Sequence, residues 1–343
     1  YYESASLASK VLGFTGGDNQ GIIGLEVSYE KFLKGIDGSI LTMTTAGGTE
    51  IKNGAEDRIE PVAGWTLTTS LDLNVMKYAN QVAYTLLEQK QAKTVEIIIM
   101  NPQNGEIYAM VNAPEFDLNH PYELTGGSEG LSQKEKMDKL NNQWRNLAVS
   151  DTYEPGSTFK VITTAAALDK GVVKMTDTFS CPGYKIVEDR RIRCHKTTGH
   201  GSETFLQGIM NSCNPVFMEV GARVGVSGMF EEINRLGILK KTGIDVPGEA
   251  GTIMHKKENV GAVELATMSF GQSFQLSPIR MLTSISQIIN GGKSITPHFG
   301  VSATNSDGTV MKKFAYSSGE EVITEEKSKE ICEALGHVVT EGG

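Results

Sequence analysis

With 343 residues the chain is long enough for about two domains and a sizeable core. Its formal net charge of −9, with no basic cluster standing out along the sequence, argues against a nucleic-acid partner. No apolar run is long enough to span a bilayer. Residues 1 to about 62 are Gly-rich, with amphipathic stretches at 5–12 and 25–33, a strand-like alternation over Ser39 to Thr44 and a turn at Ala46-Gly47-Gly48. Trp65 to Thr69 alternates like a strand, and Asn74 to Gln89 has helical spacing. Thr94 to Met100 and Glu106 to Val111 are β-rich runs separated by Asn101-Pro102-Gln103-Asn104-Gly105, which predicts an antiparallel hairpin.

The next segment, Tyr153-Glu154-Pro155-Gly156-Ser157-Thr158-Phe159-Lys160, runs from a turn into the apolar, Ala-rich stretch Val161 to Leu168. Ser157 and Lys160, three apart, share one helix face. A serine hydroxyl is a weak nucleophile until a base takes its proton, and a lysine desolvated against an apolar helix has a pKa low enough to serve. About fifty residues on, Asn211-Ser212-Cys213-Asn214-Pro215 places a hydroxyl and an amide between two helical stretches, and Pro215 predicts a loop conformation for Asn214. Each motif alone also reads as ordinary helix capping.

Between the two motifs, Cys181, Cys194, His195 and His200 fall in one Gly-rich and charged loop. Thiolates and imidazoles at this spacing suit a structural zinc, with Asp189 as an alternative oxygen ligand. A Cys181–Cys194 disulfide and a set of unligated side chains are the rival readings. Cys213 is assigned no chemistry. His120, His255, His298 and His337 share no spacing and read as surface or packing residues. Further on, Phe270 reads as packing and Gly271 as a close backbone approach. Pro278 to Ile289 is helical, Ser294 to Val301 strand-like, and Glu325 to Val339 a final helix with Cys332 on its packed face. Strands, a long helical block, then strands predict an α+β fold with an antiparallel sheet covered by helices.

Ser157-x-x-Lys160 and Ser212-x-Asn214 are joined by Leu12-Gly13-Phe14-Thr15-Gly16, Gly24-Leu25-Glu26, Thr242-Gly243-Ile244-Asp245 and Phe270-Gly271-Gln272. In that order they resemble the class B penicillin-binding proteins, most closely the sporulation protein D type. The resemblance implies a transpeptidase domain over 63–343 and, over 1–62, the remnant of an N-terminal pedestal domain. It implies a peptidoglycan D,D-transpeptidase at the extracytoplasmic membrane face, with stem peptides as substrates, β-lactams as inhibitors, and a glycosyltransferase as membrane partner. Ser157 would attack the penultimate carbonyl of a D-Ala-D-Ala donor, Lys160 take the proton, Ser212 relay one to the leaving group, and Asn214 hold the donor. No cofactor is implied for the chemistry.

Lys241-Thr242-Gly243 spells the family's third motif, but it follows Asn214 too closely and runs into the turn Val246-Pro247-Gly248, which no central strand tolerates. The third motif is therefore expected beyond Gly343, and the start at Tyr1 without a Met suggests an excised fragment lacking the family's membrane anchor. A β-lactamase or β-lactam sensor and a non-catalytic wall scaffold are the alternatives.

Overall fold

A computed structural model describes residues 1–42 and 56–340 of the chain. The end of the strand expected at 39–44 and the turn at 46–48 lie outside the described residues. Ser39–Thr42 is a strand, paired antiparallel with Glu56–Ile59.

Two large hydrophobic cores organise the molecule, beside a smaller cluster of Phe14, Phe116, Leu118, Leu140 and Trp144. The first lies under the helix Leu73–Gln89, which starts where the Asp72 carboxylate accepts the backbone N–H groups of Asn74 (2.8 Å) and Val75 (3.0 Å). Its apolar residues Met76, Ala79 and Ala83 recur at helical spacing and face the hairpin of Val95–Met100 with Ile107–Ala113. A three-stranded antiparallel ladder, ordered Val310–Lys313, Gly300–Thr304, Thr66–Thr69, continues this layer. Its join to the hairpin is made by the Ile107 N–H to the His298 carbonyl (3.0 Å) and the Ser70 hydroxyl to the Ile107 carbonyl (2.8 Å). Ala8, Val11, Leu25 and Tyr29, from the short helices of the first 33 residues, are buried in this same core with Ile244 and Phe299.

The second core is helical. Lys160–Asp169 runs through its middle with every residue from Ile162 to Leu168 buried, packed by Asn214–Arg235, Ala262–Met268, Pro278–Ile289 and Glu325–Thr340. Mixed helices and antiparallel strands make the fold α+β, as expected.

Two expectations are corrected. The strand placed at Ser294 to Val301 begins only at Gly300 and runs to Thr304. Pro297, with no N–H to give a ladder, keeps the preceding residues irregular. Cys332 is exposed, because Ser328, Ile331 and Ala334 form the inward stripe of the last helix.

Candidate active site and thiol cluster

Ser157 lies in a single 3-10 turn, Gly156–Phe159, that runs directly into the helix beginning at Lys160. The turn is clamped from behind. The Gly156 N–H donates to the Gly271 carbonyl (2.9 Å), and a Cβ on Gly271 (φ +83°) would fall 2.0 Å from the Gly156 oxygen, so the backbones meet only because residue 271 is glycine. Phe270 is buried, and Phe159 packs edge-on against Phe274 at 4.7 Å. The result is an exposed hydroxyl standing on a buried amine: Ser157 is open to solvent, whereas Lys160 is 5% exposed.

The Lys160 Nζ lies 3.1 Å from Ser157 Oγ, 2.9 Å from Ser212 Oγ, 2.6 Å from the Ser212 carbonyl and 2.8 Å from Asn214 Oδ1. Burial lowers its pKa to about 8, an effect that the neighbouring Cys194 and Cys213 oppose. No carboxylate forms an ion pair with it among the described residues. A neutral amine here keeps its N–H groups on the fixed acceptors of Ser212 and Asn214 and presents its lone pair to the Ser157 hydroxyl.

Ser212 is held at φ 49° as the left-handed residue that ends the helix Phe205–Met210, with the Cys213 N–H reaching back to the Gly208 carbonyl at 2.9 Å. A serine in this conformation costs about 1 kcal/mol, the kind of local strain found at working sites. Asn214 is not in the loop as Pro215 suggested. It is the first residue of the helix Asn214–Arg235, because Cys213 takes the extended N-cap geometry and Pro215, whose missing N–H is not needed in a first turn, follows it. An apolar cavity of about 230 Å³, lined by Ile209, Met210, Phe217, Ile331 and Val338, opens beside Ser157 and Lys160.

The segment between the two motifs folds as two antiparallel ladders, Thr178–Cys181 with Gly201–Thr204 and Tyr184–Val187 with Arg190–Arg193. It brings together Cys181, Cys194, His200 and Cys213, whose ligand atoms all lie within 4.8 Å of one another. Tetrahedral zinc at about 2.3 Å from each sulfur needs sulfurs about 3.8 Å apart, so this donor set fits the ion with little adjustment. His195 does not belong to the four: its ring is exposed, with Nδ1 3.8 Å from the Cys194 sulfur. Cys213, given no role by sequence reasoning, takes its place, since the chain reversal at Ser212 turns this cysteine back under the loop. Asp189 is also outside, exposed beside Arg190 at 3.6 Å.

All four cysteines of the chain are free. Burial pushes the Cys213 thiol pKa up and the His200 pKa down, leaving a neutral imidazole of the kind metals accept. Glu203, 4% exposed, accepts from Asn211 Nδ2 at 2.9 Å, and its other oxygen lies 3.8 Å from His200 Nδ1, too far for a hydrogen bond.

Lys241-Thr242-Gly243 is an irregular, edge-of-core segment. Lys241 is exposed, and the N–H groups of Thr242 (2.6 Å) and Gly243 (3.4 Å) donate to the Glu249 carboxylate instead of to a strand. Ile244 and Val246 beyond it enter the first core, whereas the Ser157 helix belongs to the second. His298 is buried and stacked on Tyr316 at 3.7 Å, and His120 and His255 are exposed.

The penicillin binding protein transpeptidase domain matches residues 95–343. Over 344 residues, 100% of this chain, the sequence is 38% identical to stage V sporulation protein D of Bacillus subtilis (strain 168), of which it covers 51%. It is 27% identical over 349 residues to the probable peptidoglycan D,D-transpeptidase PenA of Neisseria gonorrhoeae, covering 100% of this chain and 54% of that protein. The chain thus spans about half the length of the curated relatives it matches. Among solved structures, a putative peptidoglycan glycosyltransferase from Atopobium parvulum superposes with a TM-score of 0.81 at 26% identity, covering 100% of this chain and 72% of that one. Penicillin binding protein 3 from Mycobacterium tuberculosis gives 0.82 at 23% identity over 99% of this chain and 69% of that one, a likeness of fold alone.

Proposed function

This chain belongs to the penicillin-binding protein transpeptidase family, and from that premise we propose that it carries out serine acyl transfer on D-Ala-D-Ala stem peptides, cross-linking peptidoglycan and reacting with β-lactams. One observation carries the reading. A single buried amine, with no carboxylate paired to it among the described residues, touches the Ser157 hydroxyl, the Ser212 hydroxyl and the Asn214 amide oxygen at 3.1, 2.9 and 2.8 Å.

In the proposed sequence Lys160 accepts the Ser157 proton as Oγ attacks the penultimate carbonyl, and the Ser157 backbone N–H donates to the developing oxyanion. Ser212 returns a proton to the departing D-Ala amine. The acyl-enzyme is then released to an amine of a neighbouring stem.

Residues 1–62 form the base of a pedestal and 63–343 the catalytic domain. The full-length protein is anchored in the cytoplasmic membrane and works on its outer face beside a glycosyltransferase, in a spore or septal wall. The sporulation role is motivated by the Bacillus subtilis relative. Among the described residues no helix is long and apolar enough to cross a membrane.

Zinc held by Cys181, Cys194, His200 and Cys213 is structural in this reading. When bound it supplies a fixed tetrahedral junction and takes no part in acyl transfer. It ties the 181–200 segment to the residue between Ser212 and Asn214.

Intact-mass measurement after exposure of the full-length protein to benzylpenicillin tests the function. The wild type should gain the mass of one drug molecule and Ser157→Ala none. A labelled Ser157→Ala protein, or rapid loss of the adduct by hydrolysis as in a β-lactamase, would overturn it.

A further inference from the structure

We propose that the outward face of the hairpin Tyr184–Val187 with Arg190–Arg193 recognises carboxylates of the donor stem, so that the site selects stems whose side carboxylates are free over stems in which they are amidated. This rests on the acyl-transfer reading above.

The antiparallel register sets Tyr184 opposite Arg193 and Ile186 opposite Arg191, which puts these four side chains on one face. The other face is spoken for: Val187 and Ile192 pack on the second core, and the Lys185 ammonium pairs with Glu219 at 2.7 Å. On the outward face Ile186 is 63% exposed, and both arginines are open to solvent. The Arg191 guanidinium stacks over the Tyr184 ring at 3.8 Å, which fixes its plane and leaves its N–H edge free.

Charge separates this hairpin from the rest of the molecule. Residues 184–196 hold five Lys and Arg against two acids in a chain whose net charge is −9, so a basic cluster does stand out here, contrary to the expectation from the sequence. Arg190 is neutralised by Asp189 at 3.6 Å, but among the described residues Arg191, Arg193 and Lys196 have no ion-pair partner. The strand that carries them is tied to the site through its backbone: the Asn214 Nδ2 donates to the Arg193 carbonyl at 3.3 Å, and the next residue, Cys194, is one of the four clustered ligands.

A stem peptide is an anionic ligand. Its D-glutamate is linked through the γ-carboxyl and keeps its α-carboxyl, and a diaminopimelate at the third position adds another carboxylate. An otherwise acidic protein would repel such a chain. Guanidinium forks on the strand tied to Asn214 attract it and dock the carboxylates two-pronged, which a neutral carboxamide cannot match.

The test uses the full-length protein and two synthetic N-acetylated pentapeptides ending in D-Ala-D-Ala, identical except that the second and third residues carry carboxylates in one and carboxamides in the other. D-Ala release is measured at low and high salt, with benzylpenicillin acylation of the wild type as a control. The expected result is a preference of about tenfold in kcat/KM for the carboxylate stem, expressed mainly in KM and shrinking with salt. Arg191→Gln with Arg193→Gln should erase it, and Arg191→Lys with Arg193→Lys should restore part of it.

A wild type that is acylated by benzylpenicillin yet handles both peptides alike overturns this inference and leaves the acyl-transfer reading standing. So does a preference that survives in the Gln double variant. A wild type that benzylpenicillin does not acylate overturns both.

Discussion

Two lysines are buried among the described residues, Lys10 at 6% exposure and Lys160 at 5%, one in each core of the molecule. Burial lowers the pKa of both. At Lys10 the effect is opposed by the carboxylates of Glu115 and Glu96, and the ammonium donates to the Asn112 carbonyl at 3.0 Å. Glu115 is itself buried and held by the Ser9 hydroxyl at 2.5 Å and the Asn112 N–H at 2.9 Å. That lysine is a tie between the first helix and the strand Ile107–Ala113, with no hydroxyl to deprotonate. Among the described residues Lys160 has no ion-paired acid, and it has two serine hydroxyls in reach, one of them exposed. A depressed lysine pKa is therefore common to a structural lysine and to the one proposed as the base, and the acceptors around the nitrogen separate them.

The widest separation should come from removing each amine. Lys160→Met should slow benzylpenicillin acylation by about two to four orders of magnitude, the range for loss of a general base. Lys10→Met should leave acylation within about threefold while lowering stability by about 1–3 kcal/mol, because Asn112 and Glu115 lose a buried partner. Stopped-flow acylation and denaturant melts of both variants decide this. A folded Lys10→Met protein with collapsed acylation would end the distinction.

The next effect tests the placement of Ser157 over the amine. Gly271→Ala drives a methyl into the Gly156 carbonyl and should cost about a hundredfold in acylation, as displacements near 1 Å do. A rate near wild type would show that the Gly156–Gly271 clamp does not set the geometry.

Acidity gives a graded version of the same contrast. The Lys160 pKa is lowered to about 8, so below that value the amine is protonated and cannot accept the Ser157 proton. Acylation should rise about tenfold per pH unit up to about pH 8 and then level off. Lys10→Met should follow the same profile as wild type. A profile flat from pH 6 to 9 would remove Lys160 as the base.

The smallest effects concern the acceptors that distinguish Lys160, since Cys213 sits between Ser212 and Asn214. If zinc staples the cluster, a chelator and Cys213→Ser should each lower the melting midpoint and slow acylation several-fold, whereas His195→Ala should do neither. Elemental analysis of untagged protein purified without added zinc checks the premise. Stoichiometry near zero with melting unchanged in chelator would leave three thiols and an imidazole without a metal.

Much of this was legible in the chain. Helical spacing placed Ser157 over Lys160, the Asn101 to Gly105 turn marked the first hairpin, and Val246-Pro247-Gly248 was enough to reject Lys241-Thr242-Gly243 as a strand. These are local signals, fixed by φ restrictions and by the 3.6 and 2 residue periods. Where Pro297 cut a strand short or Pro215 opened a helix, the same residue type allowed two outcomes and its neighbours chose between them. The inward face of the final helix was likewise a matter of which residues the second core accepted, and it left Cys332 outside.

By itself the sequence determined that Ser157 and Lys160 share one face and that residue 271 allows a close backbone approach, because three-residue spacing and a glycine act through local backbone geometry. Only the tertiary structure decided which amine stands free of acids among the described residues, that Cys213 and not His195 completes the thiol cluster, and that the Arg190–Arg193 strand meets Asn214. Each of these is a meeting of side chains distant along the chain, set by the reversal at Ser212 and by the packing of the Lys160 and Asn214 helices, and spacing along a sequence carries no direct record of it.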